Sequence, residues 1–256
     1  MWARRLSVLV ALALIAHGAS ALDKSGLVLH LTFDEGAGTV AGDASGAGND
    51  GALVGNVAWV AGKIGGAVSI SDDAGENMIV VANDASLNPE SEITLAAWAL
   101  VENMPDDNNS LITKADTWMI HTSNWRGEDG SIDWEPLLWT PGFVAWQTTS
   151  SAVVPLGEWH HFAGVYDGTG IVTYIDGQEA GTFEQAGPLA TSDVDVVIGR
   201  DSRSCCADRK AQHTIDEAMI WSRALSANEV AEIMSGVTPV EPRAKLATVW
   251  GSIKTR

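Results

Sequence analysis

The residues best suited to chemistry are clustered carboxylates, a run of tryptophans and one adjacent cysteine pair. In "DASGAGND", Asp43, Asn49 and Asp50 stand among glycines that let backbone carbonyls turn inward. Calcium takes about six to eight oxygens of this kind, so the loop is a candidate calcium site, although it lacks EF-hand spacing. The same residues also suit a plainer role, in which Asp43 and Asn49 only tie the loop through backbone hydrogen bonds. Sequence leaves both readings open.

Five of the eleven tryptophans (Trp118, Trp125, Trp134, Trp139 and Trp146) lie between Asn103 and Ser151, interleaved with Asp and Glu. Exposed rings stack on sugar faces or on a protein partner, while carboxylates and amides take hydroxyls. The candidate ligand-binding set is therefore Trp118, Trp125, Trp134, Trp139, Asn124, Arg126 and Asp133. Trp98, Trp159 and Trp221 lie in strong strand segments and are expected in the core. Asp133 and Glu135 stand two apart, the nearest approach to a catalytic carboxylate pair, and a loop is expected around them. His160 and His161 are neighbours at a strand start and point to opposite faces, which makes a shared metal improbable. No serine or cysteine nucleophile sits in an elbow motif. The expectation is a protein that binds and does not catalyse.

Cys205 and Cys206 are the only cysteines. Adjacent Cα atoms lie about 3.8 Å apart, closer than ordinary disulfides prefer. A strained Cys205–Cys206 bridge, a link to another chain and a free thiol pair all remain open; an oxidising compartment favours an oxidised form.

That compartment follows from the start of the chain. Met1 to Arg5 is basic, Leu6 to Ala16 is apolar, and Ala19-Ser20-Ala21 is a small-residue cleavage site. The apolar run is too short to span a bilayer, so residues 1–21 read as a cleaved signal peptide and the mature chain as exported: secreted, periplasmic or cell-surface. Arg4-Arg5 also fits a twin-arginine signal, although the apolar run follows at once. Removing Arg4 and Arg5 from the 15 basic residues leaves 13 against 33 acidic, a formal charge of −20. Such a chain repels nucleic acid and anionic membranes, and suits solubility and cations.

The elements that must position these residues are almost all strands. Leu27, Leu29, Leu31 and Phe33 alternate with Val28, His30 and Thr32 at period two. "SEITLAAWALV" is apolar on both faces, as in a central strand covered on both sides. Asp-Gly turns at 167–168 and 176–177 read as hairpins. Ser226 to Glu229 is a capping box opening one helix, with Gly236 as its stop. Many short strands and a single late helix argue for a two-sheet β-sandwich at 22–236, followed by an extended or mobile tail at 237–256.

"LTFDEGAGTVAGDASGAGNDGALVG", "GKIGGAVSI", "SLNPESEITLAAWAL", "PLGEWHHFAGVYDGTGIVTYIDGQEAG", "VIGRD" and "IDEAMIWSRALSANEVAEI" together resemble the bacterial laminin-G-like, concanavalin A-like jelly-roll domain over about Gly26 to Gly236. The resemblance implies an all-β, two-sheet antiparallel jelly roll whose members mostly bind glycans or proteins outside the cell, many of them holding calcium. First and last strands pair in that fold, which brings Asp34 near Asp216 and completes the calcium candidates as Asp34, Asp43, Asn49 and Asp216. Glycosidases of the fold carry a Glu-x-Asp-x-x-Glu strand, and Ser131 to Glu135 lacks its first Glu. Gln212-His213-Thr214 also replaces the usual aromatic-x-Gly before "IDE". The implied function is glycan recognition by a secreted module, with calcium as the cofactor that the resemblance implies. Adhesion to an extracellular protein is the alternative, and glycoside hydrolysis a distant third.

Overall fold

The computed structural model describes residues 22–104, 108–123, 131–140, 143–144, 153–203, 206 and 209–237, with backbone alone for 108, 123, 131–140 and 143–144. The expected signal peptide at 1–21, and all but the first residue of the expected tail at 237–256, lie outside the described residues.

The chain begins with β1 (Leu27–Leu31), β2 (Val40–Ala41), β3 (Gly51–Val54), β4 (Val57–Ala61), β5 (Gly66–Ile70) and β6 (Met78–Val81). It continues through β7 (Ile93–Asn103), β8 (Asn108–Lys114), β9 (Trp118–Ser123), β10 (Ser131–Thr140), β11 (Phe143–Val144) and β12 (Val153–Pro155). The last strands are β13 (Trp159–Tyr166), β14 (Gly170–Ile175), β15 (Gln178–Glu184), β16 (Val196–Ile198) and β17 (Gln212–Trp221), followed by α1 (Ala227–Ile233).

One sheet runs β15-β14-β13-β7-β17-β5-β4, with β1 also on β17. The other runs β11-β10-β9-β8-β16-β6-β3-β2, with β12 also on β10. First and last strands pair as expected, Leu29 opposite Ile220 and Leu31 opposite Ala218. Between the sheets lies the main core, where Ile93, Leu95, Ala97 and Phe162 meet Ile79, Ile112, Ile120 and Ile198.

The outer face of the first sheet is apolar too. Ala96, Ala163, Met219 and Trp221 pack there against Val230 and Ile233 of α1. This explains why both faces of β7 are apolar. Trp98 on that face donates to Met234 O at 3.0 Å, stands edge-on to His161 at 5.4 Å and carries Lys63 over its ring. Trp98 and Trp221 are buried as expected, whereas Trp159, at the start of β13, is only half-buried.

The helix opens with the expected capping box. Ser226 Oγ accepts from Glu229 N–H, and the Glu229 carboxylate accepts from Ser226 N–H. The hairpin turn at Asp176-Gly177 has φ of 50° and 73°, as a primed turn requires.

Where a loop was expected around Asp133 and Glu135, the chain forms β10. Its Pro136 lies opposite Ile120 of β9. On the other side, β12 reaches only Ser131 to Asp133 and β11 only Trp139 and Thr140. Pro136 falls in the gap between them, where a missing N–H costs no ladder bond.

Candidate functional site

The predicted calcium residues divide between two places. Asp43 is the hub of the glycine-rich loop: its carboxylate accepts from the N–H groups of His30, Ser45, Gly48 and Asn49 and from Ser45 Oγ, at 2.7–3.0 Å. Asn49 is buried, and its amide donates to Val28 O and Ser86 Oγ. Asp43 and Asn49 thus make the loop-tying hydrogen bonds of the plainer reading.

Asp34 and Asp216 instead grip the turn before β5. Gly66 N–H donates to Asp34 Oδ1 at 2.7 Å, and Ile64 N–H to Asp216 Oδ2 at 2.8 Å. A Cβ at Gly65 would lie 2.2 Å from Asp34 Oδ1, and one at Gly62 would lie 2.7 Å from Asp216 Oδ2. Close approach of these carboxylates to the backbone is what the glycines of "GKIGG" permit. Asp216 is fully buried and its Oδ1 has no hydrogen-bond partner. Burial, with the neighbouring Glu217 and Asp34 charges, pushes its carboxyl up to about 7. Glu217 itself pairs with His30 Nε2 at 2.6 Å, and Arg223 with Glu229 at 2.6 Å. Among the described residues, no three His, Cys, Asp or Glu side chains gather as a metal cluster.

The expected aromatic edge needs one correction. Trp118, proposed to face ligand, is fully buried in the inter-sheet core. It stands opposite Lys114 and one alternate position from Ile120, so strand register turns its ring inward. Asn124, Trp125 and Arg126 lie outside the described residues. Asp133, Trp134 and Trp139 belong to β10, with Asp133 opposite Ser123, Trp134 opposite Thr122 and Trp139 opposite Val144. Cys205 lies outside the described residues; Cys206 is buried, and no free cysteine occurs among those described.

A different constellation lines a surface cleft. The cleft, of about 540 Å³, runs between the loop after β6 and the loop before β16, lined by Asn83, Asn88, Glu90, Thr191, Ser192 and Asp193. Its walls are pinned. Asn88 Nδ2 donates to Asn83 Oδ1 and Asp84 O, and Asn88 Oδ1 accepts from Ser192 N–H. Ser192 Oγ shares a hydrogen bond with Thr117 Oγ1 at 2.9 Å, while Asp195 accepts from Asn83 N–H.

Beneath it, buried Lys114 donates to Asn83 Oδ1 at 2.5 Å and Val194 O at 2.9 Å. Burial lowers this amine against the opposing pull of Asp195 and Asp193. Glu90, Thr191 and Asp193 remain exposed at the rim. Amides, hydroxyls and carboxylates held in place by such a network suit a hydroxyl-rich ligand. Sequence reasoning passed over these residues. Their only signal was polarity in "ANDASLNPES" and "ATSDVD", two interstrand runs roughly a hundred positions apart.

Domain 4 of AbnA, an extracellular arabinanase from Geobacillus stearothermophilus seen with arabinotriose, is similar in fold, with a TM-score of 0.63 at 19% identity. The match covers 83% of this chain and 100% of that one. The ligand-binding domain of botulinum neurotoxin serotype D, seen with N-acetylneuraminic acid, gives a TM-score of 0.61 at 15% identity, over 83% of this chain and 51% of that one. The binding domain of Paraclostridial Mosquitocidal Protein 1 gives 0.58 at 16%, over 82% and 52%. This chain thus spans about half the length of either toxin domain. No curated protein sequence matches it. Residues 73–231 match the laminin G family described as the Concanavalin A-like lectin/glucanases superfamily. With more than half of its length matched, the chain belongs to that superfamily.

Proposed function

We propose that this chain is an exported, non-catalytic carbohydrate-binding module that takes a glycan in the polar cleft between the Asn83–Glu90 and Thr191–Asp193 loops. The cleft itself carries the reading: its lining is nearly all hydrogen-bonding groups, already held in place before a ligand arrives. Fold relatives seen with arabinotriose and with N-acetylneuraminic acid lend support. Binding without catalysis is the reading that the relatives favour, since those similar in fold include a ligand-binding domain and a binding domain.

The test is titration of the mature chain with arabinotriose and a panel of other neutral oligosaccharides. Glu90→Gln with Asp193→Asn should weaken the best ligand about tenfold or more while leaving the melting temperature unchanged. Undiminished affinity in that double variant, or no binding across the panel, would overturn the reading.

Calcium enters the proposal only at Asp34 and Asp216. The unpartnered, buried Asp216 Oδ1 beside a second carboxylate fits a cation, whereas the oxygens of Asp43 are engaged by protein donors. Millimolar calcium should then raise the melting temperature by mass action, an increase that Asp216→Asn removes and Asp43→Asn leaves in place. An increase lost in Asp43→Asn instead would return the site to the glycine-rich loop.

A further inference from the structure

Asn83 lines the polar cleft with its amide held in one orientation. Its Oδ1 accepts from Lys114 Nζ at 2.5 Å and from Asn88 Nδ2 at 3.1 Å. An ammonium group only donates, so the amide oxygen has to face Lys114 and the amide nitrogen has to turn away from it. Lys114 is itself buried and fixed by a second bond to Val194 O at 2.9 Å. Asn83 Nδ2 is left without a partner among the described residues, with two N–H groups to offer. The amide is a preset donor.

The other lining groups complement it. Asn88 is spent, with Oδ1 on Ser192 N–H and Nδ2 on Asn83 Oδ1 and Asp84 O. Thr117 Oγ1 donates to Ala115 O, so Ser192 is the donor in the hydrogen bond that these two hydroxyls share. A ligand therefore meets the Asn83 amide as donor, the exposed Glu90 and Asp193 carboxylates as acceptors, the Thr191 hydroxyl, and Ala85 as an apolar contact.

Charge narrows the choice further. Asp84, Glu90, Asp193 and Asp195 lie on the two loops of the cleft, while Lys114 is committed to Asn83 and Val194. An anionic sugar is repelled by such a rim. A lone hydroxyl facing Asn83 would have to accept and donate through one oxygen, and would leave Ala85 uncovered. An acetamide separates its accepting oxygen from its donating N–H and adds a methyl group. Building on the glycan reading of the same cleft, we infer that it selects a neutral N-acetylated amino sugar. The acetamido oxygen accepts from Asn83 Nδ2, its N–H donates to a rim carboxylate, and its methyl lies on Ala85. Lys114 acts through Asn83, as a positioning residue.

Chitotriose and cellotriose test this, since they share one backbone and differ only in the acetamido group that replaces one hydroxyl on each ring. Each is titrated calorimetrically against the mature chain. Chitotriose should bind about tenfold or more tightly than cellotriose, because a site built around a hydrogen-bonding group disfavours the analogue that lacks it. Asn83→Asp keeps an oxygen on Lys114 but removes both N–H donors, and should bring chitotriose down to the level of cellotriose. Lys114→Met frees the amide to rotate, and should lower the ratio of the two affinities, whereas a merely structural role would weaken both sugars alike. Melting curves of each variant confirm that the fold is kept. The inference is overturned if cellotriose binds as well as chitotriose, or if Asn83→Asp keeps the preference. Binding of cellotriose or arabinotriose with no preference for chitotriose overturns the inference and leaves the glycan reading standing. Binding of no neutral sugar overturns both.

Discussion

His161 stands edge-on to Trp98 beneath the end of α1, and His213 donates from Nε2 to Gly199 O at 2.8 Å. Both are buried, and burial lowers each from 6.5 to about 4. The unfolded chain therefore binds more protons than the folded one between those values, so stability is lost as pH falls from about 6.5 toward 4. Asp216 acts in the opposite sense, because its folded value is raised to about 7 from 3.8. Two histidines oppose one carboxyl. The melting temperature should fall on acidification through that window, and His161→Gln with His213→Gln should flatten the slope, whatever it does to the absolute value. An unchanged slope would assign the acid response to other groups. Trp118 makes a second case at this scale. Its ring fills the inter-sheet core while Nε1 has no hydrogen-bond partner. Trp118→Ala should cost about 3–5 kcal/mol in chemical denaturation. Trp118→Phe should cost far less, since it keeps most of the buried area and removes an unsatisfied donor. Equal costs would mean that the ring is not packed as described. Sequence grouped Trp118 with Trp134 by composition. Which face a strand residue takes is decided by register, and composition carries no register.

Elements were more legible than residues, because period and turn chemistry are local. The capping box at Ser226 was readable as four letters, and the Asp176-Gly177 turn as two. The turn needs positive φ at each central residue, which Gly and Asp tolerate. Gly177→Val should therefore destabilise the sandwich by about 1–2 kcal/mol or more through backbone strain. Crowding is not the cause, since a Cβ there meets nothing closer than 3.6 Å. Gly177→Asn, which accepts the left-handed region, should recover most of the loss. Equal destabilisation by Val and Asn in denaturant melts would point to sterics instead. Strand β10 escaped notice for the converse reason. Pro136 and its acidic neighbours argue locally for a loop, but the strand exists because β9 pairs with it from Asp133 to Leu138. That pairing is tertiary. The glycine-rich segment was legible as ordered, yet the same side chain, Asp43, satisfied both readings of it. What the structure adds is the number of protein donors, four N–H groups and one hydroxyl, that point at its carboxylate.

At the scale of the molecule, two surfaces lie beyond the two ends of β16, a strand of three residues. The polar cleft is assembled from the loops before β16 and after β6, and a small pocket lined by Ser71, Asn77 and Arg209 from the loops after β16 and after β5. Neither grouping is visible along the chain, because each joins segments separated by more than a hundred positions that only the sheet topology brings together. In the cleft, Asn83 and Asp193 come from different loops, and the topology sets them around one ligand. That arrangement has a quantitative consequence. Groups that grip one part of a ligand are coupled, whereas groups that hold separate parts contribute independently. Loss of either grip lets an acetamido group shift, so part of what the other contributes is lost with it. For chitotriose, Asn83→Asp combined with Glu90→Gln/Asp193→Asn should therefore cost less than the sum of the separate changes, by about 0.5 kcal/mol or more in calorimetric titration. For cellotriose, the same changes should add within about 0.5 kcal/mol. Additivity for both sugars would mean that the cleft does not close on an acetamido group. Coupling of equal size for both would assign it to the charges of the cleft rather than to the ligand.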